Sequence, residues 1–146
     1  MLQEGSKAPN FTLKNHVGDS VSLSDFAGSK TLVYFYPKDD TPGCTKEACT
    51  ITELYDDFEK AGIVVLGISK DSPESHRAFR EKYNLPFALL SDPDGSVIDQ
   101  YGAKGFLGTK RISYLIDQNG NILKTYPNVD PATHAYEILK DAKSFQ

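Results

Sequence analysis

Two apolar runs dictate the architecture of this chain. Thr31-Leu32-Val33-Tyr34-Phe35-Tyr36 and Ile63-Val64-Val65-Leu66-Gly67-Ile68 are rich in β-branched and aromatic residues and show almost no polar alternation. A strand that faces water on one side alternates, whereas a strand covered on both faces does not. Between the runs, Ile51, Leu54, Tyr55 and Phe58 recur at helical spacing, and Ala61-Gly62 closes the segment. The unit therefore reads strand, helix, strand, with both strands in the interior of a sheet.

The remaining segments extend that pattern. Thr12-Leu13 and Val21-Ser22-Leu23 flank the turn Asn15-His16-Val17-Gly18-Asp19 and predict an N-terminal β-hairpin. Ser72-Pro73-Glu74 opens a second helix carrying Ala78, Phe79 and Tyr83. Phe87 to Leu90 reads as a further strand before the turn Ser91-Asp92-Pro93-Asp94-Gly95. Arg111 to Ile116 and Ile122 to Tyr126 form an antiparallel hairpin around Gln118-Asn119-Gly120, where Asn-Gly signals a tight turn. Pro131 starts a closing helix with Ala135, Ile138 and Leu139 on its apolar face. The segment Gly102 to Gly108 fits neither a dinucleotide-binding nor a phosphate-loop pattern and reads as a flexible connection. The expected fold is α/β and thioredoxin-like: a central mixed β-sheet flanked by helices, with an N-terminal β-hairpin and residues 1–146 in a single domain.

Charge and composition exclude several functions. A net charge of -4 and a pI near 5.3 leave no basic footprint for nucleic acid. Met1 to Lys7 lacks the apolar core of a targeting segment, and stretches such as Ile63 to Ile68 are too short to span a bilayer. A cytoplasmic, reducing setting without membrane attachment is expected, and there a cysteine pair is more often catalytic or metal-binding than structural. Zinc is disfavoured: two cysteines and the scattered His16, His76 and His134 have no ligand spacing. Neither a metal nor a cofactor is expected.

The two cysteines then carry the chemistry. Thr41 is suited to cap a helix and Pro42 to occupy its first position, so Cys44 falls in the first turn. Unpaired amides and the positive end of the helix dipole favour a thiolate there. If residues 42–59 form one helix, Cys44 and Cys49 differ by about 7.5 Å of rise and about 140° of rotation, which puts their Cα atoms roughly 8 to 9 Å apart. A disulfide needs about 7 Å or less. Either the pair never bonds, as two small buried thiols would not, or the first turns unwind each time it does. The second reading is preferred, because an activated thiol with a second cysteine nearby converts a sulfenic acid to a disulfide before it over-oxidises. Asp39 and Asp40 are adjacent in a loop and do not form a carboxylate dyad, and Lys38 and Lys46 read as solvated.

Pro37, Thr41 and Cys44 fit the PxxxTxxC signature of the peroxiredoxins, inside the longer string Tyr34 to Cys49. The chain resembles most closely the bacterioferritin comigratory protein or Q-type subfamily. Cys49 falls where many members carry the resolving cysteine. Gly5-Ser6-Lys7-Ala8-Pro9-Asn10-Phe11 is similar to the family's opening segment, and Arg111-Ile112-Ser113-Tyr114-Leu115-Ile116-Asp117 to the strand bearing its active-site arginine. The resemblance runs from residue 5 to about residue 125. It implies a peroxidase of hydrogen peroxide and organic hydroperoxides in which Cys44 becomes a sulfenic acid, Thr41 binds the peroxide, Arg111 stabilises the thiolate and the leaving oxygen, and Pro37 shields the site. Cys49 would close an intramolecular disulfide, which thioredoxin or glutaredoxin would reduce, and a monomer would suffice. Two other readings compete: a non-enzymatic thiol switch with no need of Thr41 or Arg111, and a cysteine hydrolase using Cys44 with His134 as base.

Overall fold

The computed structural model describes residues 1–145. The amino-terminal hairpin forms as expected: β1 (Thr12–Asn15) and β2 (Ser20–Ser22) pair antiparallel. The first apolar run is β3 (Lys30–Phe35), buried along its whole length, and the second is β4 (Ile63–Ser69). They lie parallel, with Leu32 beside Val65 and Tyr34 beside Gly67. Leu32, Tyr34 and Tyr36 enter one core with Cys44, Ile51, Phe58 and Phe79, whereas Val33 and Phe35 enter a second with Leu66, Ile98, Tyr101 and Tyr114. Both faces of these strands are thus apolar layers, which is why their sequences do not alternate.

Three more strands complete the sheet. β5 (Ala88–Ser91) lies parallel to β4 and antiparallel to β1, one residue later than predicted. Apart from a separate two-stranded hairpin, β6 (Lys104–Gly105) and β7 (Gly108–Thr109), the chain returns as β8 (Ile112–Ile116) and β9 (Ile122–Tyr126). The order β2-β1-β5-β4-β3-β8-β9 makes a seven-stranded mixed sheet. The β6–β7 hairpin occupies the segment expected to be a flexible connection, and it presents Phe106 and Leu107 at its exposed tip.

The helices depart from expectation in instructive ways. The predicted helix over 42–59 is divided into α1 (Pro42–Glu53) and α2 (Tyr55–Lys60) at Leu54. Thr50 and Thr52 donate their hydroxyls back to the carbonyls of Lys46 and Ala48, both at 2.8 Å, a habit that bends helices. The Leu54 amide is accordingly split between the carbonyls of Thr50 and Ile51, at 3.3 and 3.1 Å. α3 (Pro73–Tyr83) starts as read, Ser72 Oγ accepting from the Ser75 amide at 3.1 Å, although Ala78 faces solvent. α4 (Ser96–Gln100) has no counterpart in the sequence reading. α5 (His134–Lys143) begins three residues after Pro131, because Asp130 first turns the chain by accepting from the amides of Ala132, Thr133 and His134.

Within this frame the carboxyl end of β3 is the working edge. The chain leaves it through the loop 36–41 into α1, and antiparallel pairing of Phe35 with Ile112 brings the start of β8 to the same point. Gly67 lies beneath it: a Cβ there would come within 2.8 Å of the Tyr34 ring and 2.9 Å of a Leu89 methyl. Gly67→Ala is expected to destabilise the fold by about 1 to 3 kcal/mol through overpacking, read as a lower urea midpoint at unchanged slope.

Candidate active site

Cys44 lies in the first turn of α1 and is 2% exposed. Thr41, at the N-cap, has the extended backbone of that position, φ -97° and ψ 156°, and Pro42 follows as the first helical residue. The expected cap bond is not made. The Thr41 hydroxyl instead donates to the Lys38 carbonyl at 2.8 Å, and the first intrahelical bond runs from the Thr45 amide to the Thr41 carbonyl at 2.8 Å. Thr41 has therefore spent its proton inside the loop, and its oxygen meets a ligand as an acceptor.

Arg111 reaches the thiol from the start of β8. Its Nη2 donates to Cys44 Sγ at 3.4 Å and its Nη1 to Glu47 Oε1 at 2.9 Å. Cys44 and Glu47 are three residues apart on one helix, so the two arms of one guanidinium grip successive turns of α1. Gly43 makes the approach possible, since a Cβ there would stand 2.8 Å from Arg111 Nη2. Burial pulls the Arg111 guanidinium down, but the Cys44 thiolate and the Glu47 carboxylate facing it outweigh burial and carry it above its usual value.

Glu47 is a site residue that the sequence reading missed. A glutamate on a helix is ordinarily solvated, yet this side chain is 1% exposed. Burial pushes its carboxyl up to about 7, with Arg111 offsetting only part of the effect. Its Oε2 and the nearby Tyr34 hydroxyl are both buried without a protein hydrogen-bond partner. Tyr34 is held well above its usual range by burial and by the Glu47 and Cys44 charges, so it stays a neutral phenol.

Cys49 lies on the same helix, half-buried, and both cysteines are free. Because α1 is continuous from residue 42 to residue 53, their Cα atoms are roughly 8 to 9 Å apart by helical geometry, beyond disulfide reach. Burial and the Glu53 carboxylate push the Cys49 thiol up, against a smaller opposing pull from Lys46, so it remains protonated near neutrality. Pro37 is exposed at the mouth of the loop, as are Lys38 and Lys46.

His134 is not solvated, and both of its ring nitrogens lie against groups other than the thiol. It is buried, with Nε2 2.9 Å from Ser113 Oγ and Nδ1 3.1 Å from Glu137 Oε1. Burial pulls it down despite Glu137, and the neutral ring braces β8 against α5. A hydrolase pairing of His134 with Cys44 therefore gains no support. Asp39 and Asp40 also behave differently from a simple loop pair: Asp39 is buried against His76 at 2.7 Å, while Asp40, at φ 55°, faces Lys82 and Tyr83 on α3.

The profile of the AhpC/TSA family matches residues 5–125. The chloroplastic peroxiredoxin Q of Sedum lineare is 48% identical over 149 residues, covering 99% of this chain and 80% of that protein. The crystal structure of peroxidoxin BcpB from Mycobacterium tuberculosis superposes with a TM-score of 0.93 at 30% identity, over 100% of this chain and 99% of the other. The Xanthomonas campestris bacterioferritin comigratory protein, whose structures were analysed for alkyl peroxide reduction, superposes with a TM-score of 0.89 at 31% identity, covering 92% and 91% of the two chains.

Glu47 makes stability depend on pH in a defined direction. Folding raises its carboxyl from the ordinary 4.5 to about 7, so the folded state holds this proton more tightly, and stability contributed below pH 4.5 is lost as pH rises toward 7. Glu47→Gln removes that loss. In urea melts it is expected to be more stable than the parent protein at pH 8, by on the order of 1 to 3 kcal/mol, with the difference shrinking toward pH 5.

Proposed function

The chain belongs to the AhpC/TSA family and is a thiol peroxidase of the peroxiredoxin Q type, and from that footing we propose that Cys44 is the thiol that meets peroxide and Cys49 the thiol that resolves it. The observation that carries this reading is the Arg111 fork, 3.4 Å from Cys44 Sγ and 2.9 Å from Glu47 Oε1. A cation so placed stabilises the thiolate and then the charge that develops on the leaving oxygen, a gain realised mainly in the transition state.

The cycle balances in three steps. The Cys44 thiolate attacks the terminal oxygen of ROOH, the O–O bond breaks, and the leaving alkoxide or hydroxide takes from solvent the equivalent of the proton Cys44 released on ionising and departs as alcohol or water, while Cys44 becomes a sulfenic acid. The thiol of Cys49 then displaces hydroxide from that sulfur, releasing water and forming the disulfide. The 8 to 9 Å Cα spacing within α1 requires its first turns to unwind for this step. An external dithiol protein finally reduces the disulfide by exchange. Thr41 accepts a hydrogen bond from the peroxide O–H, and Pro37 closes the mouth of the site. We take hydrogen peroxide and organic hydroperoxides as substrates and thioredoxin or glutaredoxin as the reductant. A monomer is sufficient because both cysteines belong to one chain. No described helix is long and apolar enough to cross a membrane, and we assign the protein to a reducing, cytoplasmic setting.

The test is intact mass after the reduced protein is mixed with one equivalent of hydrogen peroxide. Loss of about two mass units within seconds is expected. Cys44→Ser should be inert. Cys49→Ser should gain one oxygen and then stall or over-oxidise under excess peroxide, and sustained turnover of that variant with a protein dithiol would remove Cys49 from the cycle. Arg111→Lys should slow oxidation by roughly tenfold or more, because an ammonium cannot hold two turns of α1 as a planar fork does. A parental rate in that variant would favour the thiol-switch reading instead.

A further inference from the structure

The loop between β3 and α1 is locked by a set of buried polar groups that the cycle above does not use. The Asp39 carboxylate accepts from the Tyr36 hydroxyl at 2.6 Å and the Ser75 hydroxyl at 2.8 Å, and it lies 2.7 Å from His76 Nδ1. His76 is fully buried, and its Nε2 is held 3.0 Å from the Leu90 carbonyl. Asp71, just past the end of β4, is fixed by Ser69, whose hydroxyl donates to Asp71 Oδ2 at 2.7 Å. Asp39, Asp71 and His76 bring their ligand atoms within 4.8 Å of one another, a spacing that a metal ion would accept. Asp39 Oδ2, Asp71 Oδ2 and both His76 nitrogens, however, already lie within hydrogen-bond distance of other protein groups, so the cluster is satisfied as a lock.

One link in this lock reaches the site. The Asp39 amide donates to Asp71 Oδ2 at 2.8 Å, and the Lys38 carbonyl accepts from the Thr41 hydroxyl at 2.8 Å. That N–H and that C=O belong to the same peptide unit, which is planar and rigid. A carboxylate on the N–H also strengthens the carbonyl as an acceptor. We propose that Asp71 is a positioning residue for the Thr41 hydroxyl, acting through the single peptide plane between Lys38 and Asp39. Asp71 touches neither sulfur nor substrate. It fixes where the Thr41 proton points and therefore which side of its oxygen is left to accept from a peroxide. This deepens the peroxidase reading and rests on it.

The experiment measures single-turnover oxidation of Cys44 by hydrogen peroxide, together with alkylation of Cys44 by iodoacetamide, which needs no hydrogen bond to Thr41. Asp71→Ala is expected to slow oxidation by roughly tenfold and to leave alkylation within about twofold of the parent protein. Asp71→Asn, which retains an acceptor oxygen, should restore oxidation to within about threefold. In a Thr41→Val background, Asp71→Ala should add nothing further. If Asp71→Ala folds poorly, Ser69→Ala, which frees the carboxylate, should slow oxidation in the same sense. Parental oxidation in Asp71→Ala, an equal loss of alkylation, or additivity with Thr41→Val would each overturn the proposal. Slow oxidation of the parent protein would instead sink the peroxidase reading beneath it.

Discussion

Everything at the working edge hangs on one guanidinium. Arg111 bridges β8 and α1 by holding Cys44 with one arm and Glu47 with the other. Its reach depends on the sheet: β8 runs antiparallel to β3, so a residue far along the chain arrives where β3 releases the loop toward α1. It depends equally on Gly43, because any side chain at that position would occupy the space of Nη2. The mixed topology, the missing Cβ and the buried carboxylate are thus conditions for one contact.

The same contact loads helix α1. One cation faces two groups that can both be anionic, and Glu47 is buried deeply enough for its carboxyl to rise to about 7. Ionised, that carboxylate favours a state in which it reaches water, which the folded first turns deny it. The break at Leu54 confines the consequences: α2 packs through Phe58 into the core as a separate element, so α1 can loosen without taking α2 with it. On the other side the Asp39 and His76 lock holds the loop root. The helix that opens in the proposed cycle lies between two segments that need not move.

The architecture was legible because its signals are local. Apolar runs without alternation, Pro42 at a helix start and Asn119-Gly120 at a turn act through nearest neighbours, and β3, β4, the N-terminus of α1 and the β8–β9 hairpin follow from them. Cys44 was legible for the same reason, while Arg111 required the resemblance, since nothing local separates a buried arginine from a surface one. Glu47, Asp39, Asp71 and His76 were not legible at all. Each belongs to a residue type that is usually solvated, and each is bonded to a partner between 32 and 64 residues away, Asp39 to Asp71 and His76 and Glu47 to Arg111. The split of α1 from α2 also escaped, because Thr50 and Thr52 fit a helical pattern until their hydroxyls bond back onto it. His134, the base of the hydrolase reading, is instead a buried strut, its ring 4.9 Å from that of Tyr126.

Burial of Cys44 sorts the reactants of the proposed cycle by size. With Cys44 only 2% exposed, the proposed cycle offers its sulfur to a molecule as small as a hydroperoxide but to no protein surface. A dithiol protein therefore cannot reduce the sulfenic acid in the folded site, and Cys49 gains access to it only by melting the turns that carry Arg111's two partners. Unwinding then does three things at once: it brings the sulfurs together, frees Glu47 from its buried position, and exposes a disulfide large reductants can reach. Whichever sulfur of the disulfide the external thiolate attacks, exchange ends with Cys44 returned to a thiol that Arg111 is placed to recapture when α1 reforms.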